Sequence, residues 1–219
     1  MSFSHTISRR SLLAGGASLS ALALAGCEVT PALSSKAPDP TVLYGPLPDE
    51  RFPVPAIPPE KIHPGFYRRE VVDPTGEAPG TIYVDTSTFY LYHVQEDGIA
   101  MRYGVGLGRA GFGWKGEAII GRKQKWPRWT PPAEMIARDP SLEPYSAANG
   151  GMDPGPNNPL GARGLYIYQN GRDTLYRVHS NSDVYSIGRA VSSGCVRMIH
   201  QDIIHLYDRV AVGSRIIVA

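Results

Sequence analysis

The chain of 219 residues is poor in the features that most often announce a function. It holds two cysteines, Cys27 and Cys195, so it has no disulfide framework of the kind that staples small exported domains. It has no surplus of charge. The formal net charge is +2, and Arg9 and Arg10 account for the excess, leaving basic and acidic residues balanced beyond them. A balanced surface is a poor match for phosphate backbones, which argues against nucleic acid as a partner. No close cluster of histidine, cysteine and carboxylate residues supplies three or four ligands, so neither a metal nor another cofactor is expected. Internal repeats are absent. Beyond the first 27 residues no apolar run approaches the length of a membrane span.

The sequence is instead rich in glycine (24) and proline (20), which favours turns over long helices. Its one apolar run, the fifteen residues 12–26, follows the twin arginine in "SRRSLLAGGASLSALALAGC". That run is too short to span a bilayer comfortably, and its basic front resembles a twin-arginine export signal. "LAGC", ending at Cys27, resembles a lipobox, in which cleavage before the cysteine precedes attachment of a lipid to its sulfur. Residues 1–26 are therefore expected to be an export signal, with lipidation at Cys27 holding the protein in the periplasm on the inner or outer membrane. A plain signal peptide with a chance cysteine, or an uncleaved anchor, is the alternative.

Residues 27–79 are rich in proline and small residues and read as a semi-rigid tether. The composition changes at Gly80. "TIYVDTSTFYLYHV" reads as a hairpin, "IAMRYGVGLG" and "GEAIIGRKQKW" as further strands, and "AEMIARDP" as a short helix stopped by Pro140. "RGLYIYQNGRDTLYRVHS" reads as two strands around Asn170-Gly171. Ile199, Ile203, Leu206 and Val210 recur at helical spacing, and "SRIIVA" closes the chain as a buried strand. Residues 80–219 are thus expected to be one mostly β domain, sandwich-like, with one or two short helices.

A lipid on Cys27 would leave Cys195 the only free thiol of an exported protein, hence either reactive or deeply buried. "SSGCVRM", residues 192–198, puts it after a glycine that permits a tight turn, where backbone N–H groups can face a developing oxyanion. A thiol also needs a base. Of the six histidines, His179 is the best placed, at the end of "LYRVHS" and sixteen residues upstream. Spacing does not establish contact, and a structural histidine is the alternative. The glycine- and proline-rich passage 147–161 reads either as a surface loop or as a wall of a donor cleft, with Trp126 and Trp129 giving apolar contact to a peptide.

His179-Ser180 followed by "SSGCVRM" resembles the signature of the L,D-transpeptidases, the YkuD/ErfK family. "WPRWTPPAEM", "GPNNPLGARGLYIY" and "QDIIHLYDRVAVGSRIIV" are similar to further segments of that family, and the likeness runs in order from about Gly80 to Ala219. It implies Cys195 as nucleophile and His179 as general base, with the Ser180 carbonyl orienting the imidazole. It also implies an oxyanion hole from the N–H groups of Gly194 and Cys195, a turn fixed by Ser192, and Arg197 shaping the site or meeting a substrate carboxylate. Ser193 departs from the pattern, since the family often has histidine there, so His179 would act alone.

The implied reaction is acyl transfer between peptidoglycan stem peptides. A thioester forms at the L-centre of diaminopimelate, D-Ala leaves, and an amine of a second stem closes a 3→3 cross-link. The same acyl-enzyme could be delivered to an outer-membrane protein or to water. A non-catalytic wall-binding lipoprotein is the reading of a different class.

Overall fold

The computed structural model describes residues 39–109 and 113–219. The expected signal, Cys27 and the first part of the expected tether lie outside the described residues. Among those described, no helix is long and apolar enough to cross a membrane, and no group of three metal-ligating side chains occurs.

The domain is mostly β with few short helices. Nine strands form one mixed sheet in the order β1 (Arg69–Val72), β4 (Ile99–Gly104), β3 (Tyr90–Val94), β2 (Ile82–Asp85), β11 (Arg215–Val218), β6 (Gly116–Lys125), β7 (Arg163–Gln169), β8 (Arg172–Ser180) and β10 (Val196–Met198). A separate parallel pair joins β5 (Leu107–Gly108) to β9 (Ala190–Ser192). The helices are α1 (Pro40–Leu43), α2 (Ala133–Arg138) and α3 (His200–Tyr207). The hairpins expected from sequence are present: β2 pairs with β3, β3 with β4, and β7 with β8 around Asn170 and Gly171, both at positive φ. Positive φ at both central residues is what a two-residue hairpin turn of the right twist requires.

One apolar cluster gathers residues from most of the strands and from α3, among them Ile82, Leu91, Tyr103, Ile120, Leu165, Val178, Met198, Ile203, Leu206 and Ile216. This is the main core, in the sandwich-like manner expected, and two smaller clusters form around Tyr44, Ile62, Ile187 and Ile199 and around Val54, Trp126 and Ala162. The helical stripe of Ile199, Ile203, Leu206 and Val210 is buried in full. The C-terminal strand lies in the middle of the sheet, parallel to β2 and antiparallel to β6.

Residues 39–79 depart from the expected tether, because they pack against the domain. Tyr44, Val54 and Ile62 are buried. Gln201 Nε2 on α3 donates to the carbonyls of Gly45 (3.1 Å) and Pro55 (3.0 Å), and Arg68 Nη1 donates to Asp202 Oδ1 at 3.2 Å. Glu50 reaches furthest. It accepts from Arg163 Nη1 and from Trp126 Nε1, both at 2.9 Å, and pairs with Arg163 Nη2 as well. The prolines do give extended geometry, but single anchors between them (Tyr44, Glu50, Val54, Ile62 and Arg68) close the segment down as a strap. These anchors have no periodicity, which is why composition reads as linker.

Candidate active site

The site rests on the register of four strands. The β8–β10 pairing sets Val178 beside Val196 and His179 beside Arg197. Val178 and Val196 turn into the core, so alternation along each strand sends Arg177 and His179, and Cys195 and Arg197, to the opposite face. Two rows then cross the sheet. Arg122, Tyr166 and Arg177 are register partners on β6, β7 and β8, and Cys195 continues that row on the approach to β10. Gln124, Gly164, His179 and Arg197 form the next row. Cys195 and His179 are thus diagonal neighbours on one face, and fifteen intervening residues bring them there.

Cys195 is half-buried at the floor of a cleft of about 730 Å³. The cleft is lined by residues 128–135 and Arg138, by residues 173–177, and by Tyr166, Leu160 and Ala147. That volume suits a peptide of a few residues. His179 lies beneath this lining and is 5 % exposed. Its Nδ1 donates to the Ser180 carbonyl at 2.8 Å, which leaves Nε2 with its lone pair to accept a proton. Burial lowers the imidazole pKa to about 4, and the Ser180 and Pro159 carbonyls oppose that shift by favouring the protonated ring. Burial pushes the Cys195 thiol above its ordinary range, opposed by the Arg177 backbone N–H and the charges of Arg177 and Arg197. The pair at rest is therefore a neutral thiol and a neutral imidazole, with groups placed to favour the charges that appear during proton transfer.

The Ser180 carbonyl is itself held. Ser180 Oγ donates to the Leu160 carbonyl (3.2 Å) and accepts from the Arg163 N–H (3.3 Å). Gly161, at φ 57°, makes this approach possible: a Cβ there would stand 2.4 Å from Ser180 Oγ and 2.7 Å from His200 Cε1. The turn before Cys195 is tied by Ser192, whose hydroxyl donates to the Cys195 carbonyl (2.7 Å) and accepts from the Gly194 N–H (3.2 Å). The Gly194 N–H expected in the oxyanion hole is thus turned inward onto Ser192. Gly194 also packs on β5, where a Cβ on Gly108 would lie 2.7 Å from its Cα.

The other residues singled out in the sequence divide. Ser193 and Trp129 line the cleft. Trp126 does not line it; it is 4 % exposed, packed with Val54 and Ala162 and bonded to Glu50, so its surface belongs to the strap rather than to a ligand. Arg197 lies beside His179 with its Nε buried and unpartnered. The passage 147–161 contributes Ala147 and Leu160 to the lining and is braced by Asn158, whose Nδ2 donates to the carbonyls of Pro127 (3.1 Å) and Asp153 (3.0 Å). Sequence reasoning missed Arg122, Arg177 and Glu50. The first two look like ordinary exposed strand positions, and the third sits in a stretch read as linker.

Fold and cleft together define a mostly β domain that carries a thiol at the floor of a peptide-sized groove, with a buried imidazole in the next row of the same sheet face. Residues 79–218 match the model of the YkuD family, the L,D-transpeptidase catalytic domain, and the chain belongs to that family. Among curated relatives it is 34% identical over 144 residues to "Probable L,D-transpeptidase ErfK/SrfK" of Escherichia coli K12, covering 62% of this chain and 42% of that protein. It is 41% identical over 98 residues to "Probable L,D-transpeptidase YbiS" of the same strain, covering 44% and 29%. The chain thus spans less than half the length of these two relatives. A Brucella melitensis crystal structure described as "a Probable carnitine operon oxidoreductase caia" is 43% identical, with a TM-score of 0.49, over 69% of this chain and 92% of that one.

Proposed function

We propose that this protein is a cysteine L,D-transpeptidase that forms 3→3 cross-links in peptidoglycan, exported by the twin-arginine signal and lipid-anchored at Cys27 in the periplasm. The observation that carries the reading is the thiol of Cys195 on the cleft floor, with His179 beside it and Nδ1 of that ring committed to the Ser180 carbonyl.

The chemistry follows from that placement. Cys195 Sγ attacks the carbonyl at the L-centre of diaminopimelate while its proton passes to His179 Nε2. Backbone N–H groups at the 193–195 turn meet the oxyanion, with the Cys195 N–H as principal donor because that of Gly194 is held by Ser192. The C–N bond to D-Ala breaks, and His179 returns the proton to the leaving amine. The thioester is then attacked by a side-chain amine of a second stem. The new C–N bond forms, the S–C bond breaks, and the amine proton returns through His179 to sulfur. A neutral resting pair suits this cycle, since thiolate is generated only when a carbonyl is in place to accept it.

The test is incubation with disaccharide-tetrapeptide followed by mass spectrometry. A dimer formed with loss of D-Ala is expected, and Cys195→Ala abolishes it. A tripeptide without dimer redirects the acyl group to water, and transfer only to a protein amine redirects it to a wall-tethering role. Absence of both product and adduct on Cys195 overturns the enzyme reading. The anchor is tested separately by the mass of the mature protein and its loss from membranes on Cys27→Ser.

A further inference from the structure

The row that ends at Cys195 begins with a guanidinium–phenol–guanidinium stack. Arg122 Cζ lies 3.8 Å and Arg177 Cζ 4.3 Å from the centroid of the Tyr166 ring. All three residues line the cleft that holds Cys195.

Arg122 reaches this face through a local irregularity. Ala118 and Ile120 face the core, so strict alternation would bury residue 122 as well. The register shifts between Ile120 and Arg122, where Gly121 is the extra residue of a β-bulge. A Cβ on Gly121 would lie 2.4 Å from the Tyr168 ring, so only glycine fits. The bulge turns Arg122 outward onto Tyr166 and sends Lys123 to the α3 side, where its Nζ meets the Tyr207 and Val210 carbonyls. Bulges beside active sites commonly re-aim a side chain in this way.

The two arginines of the stack differ in charge balance. Arg177 is matched by Asp173, with Nη1–Oδ1 2.7 Å and Nη2–Oδ2 2.8 Å. Arg122 has no ion pair among the described residues. A guanidinium lying over a ring keeps its N–H donors in its own plane, free to form a bidentate pair with a carboxylate. Arg128 on the cleft wall is likewise matched, by Asp153, so within the stack it is Arg122 that brings positive charge to the lining without an ion pair.

We propose that the Arg122–Tyr166–Arg177 stack is a carboxylate subsite for the acyl-donor peptide, with Arg122 the specificity-determining residue; this rests on the transpeptidase reading above. Three strand intervals separate the backbones of Arg122 and Cys195, roughly 14 Å at about 4.8 Å each, and the Arg122 guanidinium, lying over Tyr166, still stands about two intervals, roughly 10 Å, from Cys195. The carboxylate of the leaving D-Ala stands only about 3.5 Å from the reacting carbonyl, so it is not the group bound. The ligand is a carboxylate on the retained part of the donor, either the α-carboxylate of the γ-linked D-glutamyl residue or the D-centre carboxylate of diaminopimelate. The D-alanyl end then falls beyond Cys195, away from the stack.

The test compares a free-acid tetrapeptide with two singly amidated ones, one at each of those carboxylates. The wild-type protein is expected to show KM about tenfold lower for the free acid than for one of the amides, and that amide identifies the source. In Arg122→Gln this acid-to-amide ratio falls to within twofold, and Arg122→Lys restores part of it, since charge remains but the fork is lost. A merely structural role for Arg122 would shift acid and amide alike and leave the ratio unchanged, which overturns the subsite, as does a wild-type ratio near one for both amides. Equilibrium binding of the same peptides to Cys195→Ala reads the ratio without turnover. If no donor acylates the wild-type protein, the transpeptidase reading fails, while the binding ratio still decides the subsite.

Discussion

Replacing Glu50 by alanine tests the claim that the strap is part of the domain. Glu50 lies outside residues 79–218, the span matched by the family model. Yet its carboxylate is the counter-charge of Arg163, which is 2 % exposed at the head of β7. The substitution strands that guanidinium and also leaves the Trp126 indole N–H without its acceptor. Removing one partner of a buried pair costs about 3–5 kcal/mol. The Glu50 side chain keeps 16% exposure, so water relieves part of the loss and the lower end, about 3 kcal/mol, applies. For a domain of this size each kcal/mol moves Tm by about 2–4 °C, so Glu50→Ala is expected to unfold roughly 6–12 °C below wild type when followed by circular dichroism. Adding Arg163→Met removes the stranded charge and should recover at least half of that. The Arg163 guanidinium holds the Glu50 carboxyl below its ordinary range, so the pair stabilises above that range and its contribution is lost as pH falls through the depressed value. Glu50→Gln should therefore show a shallower loss of Tm between pH 5 and pH 3. A Tm change under about 2 °C for Glu50→Ala, or a double variant no better than the single one, would falsify the integral strap.

Further outcomes follow from the site. Because burial raises the Cys195 thiol, alkylation by iodoacetamide should be slow at pH 7 and accelerate above the ordinary thiol range; a plateau reached below pH 7 would mean a thiolate at rest. His179 with a pKa near 4 remains a neutral base down to that pH, so acylation should lose activity on the acid side near pH 4, and an inflection at about 6.5 would contradict the burial of the ring. The same shift makes the unfolded chain bind a proton between about pH 6.5 and 4 that the folded one does not. Stability should fall across that window, and His179→Gln should flatten the fall. Gly161→Ala places a methyl against Ser180 Oγ and His200, so acylation of Cys195 should drop more than tenfold while far-ultraviolet dichroism is retained; near-normal acylation would show that the Ser180 carbonyl does not depend on this contact. Ser192→Ala removes the hydroxyl that spans the turn and should lower stability by about 1–2 kcal/mol and slow acylation, read as adduct formed on Cys195 over time.

Much of this molecule is determined by local sequence. Asn170-Gly171 makes a hairpin turn because few other residues tolerate positive φ in succession, and the spacing of Ile203 and Leu206 on α3, with Val210 just beyond it, follows from a period of 3.6 residues meeting the main core, while Ile199 at the N-cap packs in a smaller cluster. Cys195 and His179 were legible as a pair worth pursuing, since a turn glycine, a thiol and a histidine at a strand end leave their mark on short stretches of chain. The resemblance of those stretches to a family then supplied a reaction.

What only the tertiary structure decided is which side chains share a face and which charges meet. Alternation predicts that Arg122 should point with Ile120, and the bulge at Gly121 reverses it; nothing in a strand-like run of residues says where the register slips. Glu50 reads as a linker residue until it is seen paired with Arg163, 113 positions away. Trp126 reads as a peptide contact until the strap covers it. Even the Gly194 N–H, suited by type to an oxyanion hole, is claimed by the Ser192 hydroxyl once the turn closes. Local sequence determines conformations over a few residues, where sterics dominate. Partners for buried charge and donors for a site are settled by contacts between segments that the chain order does not bring together.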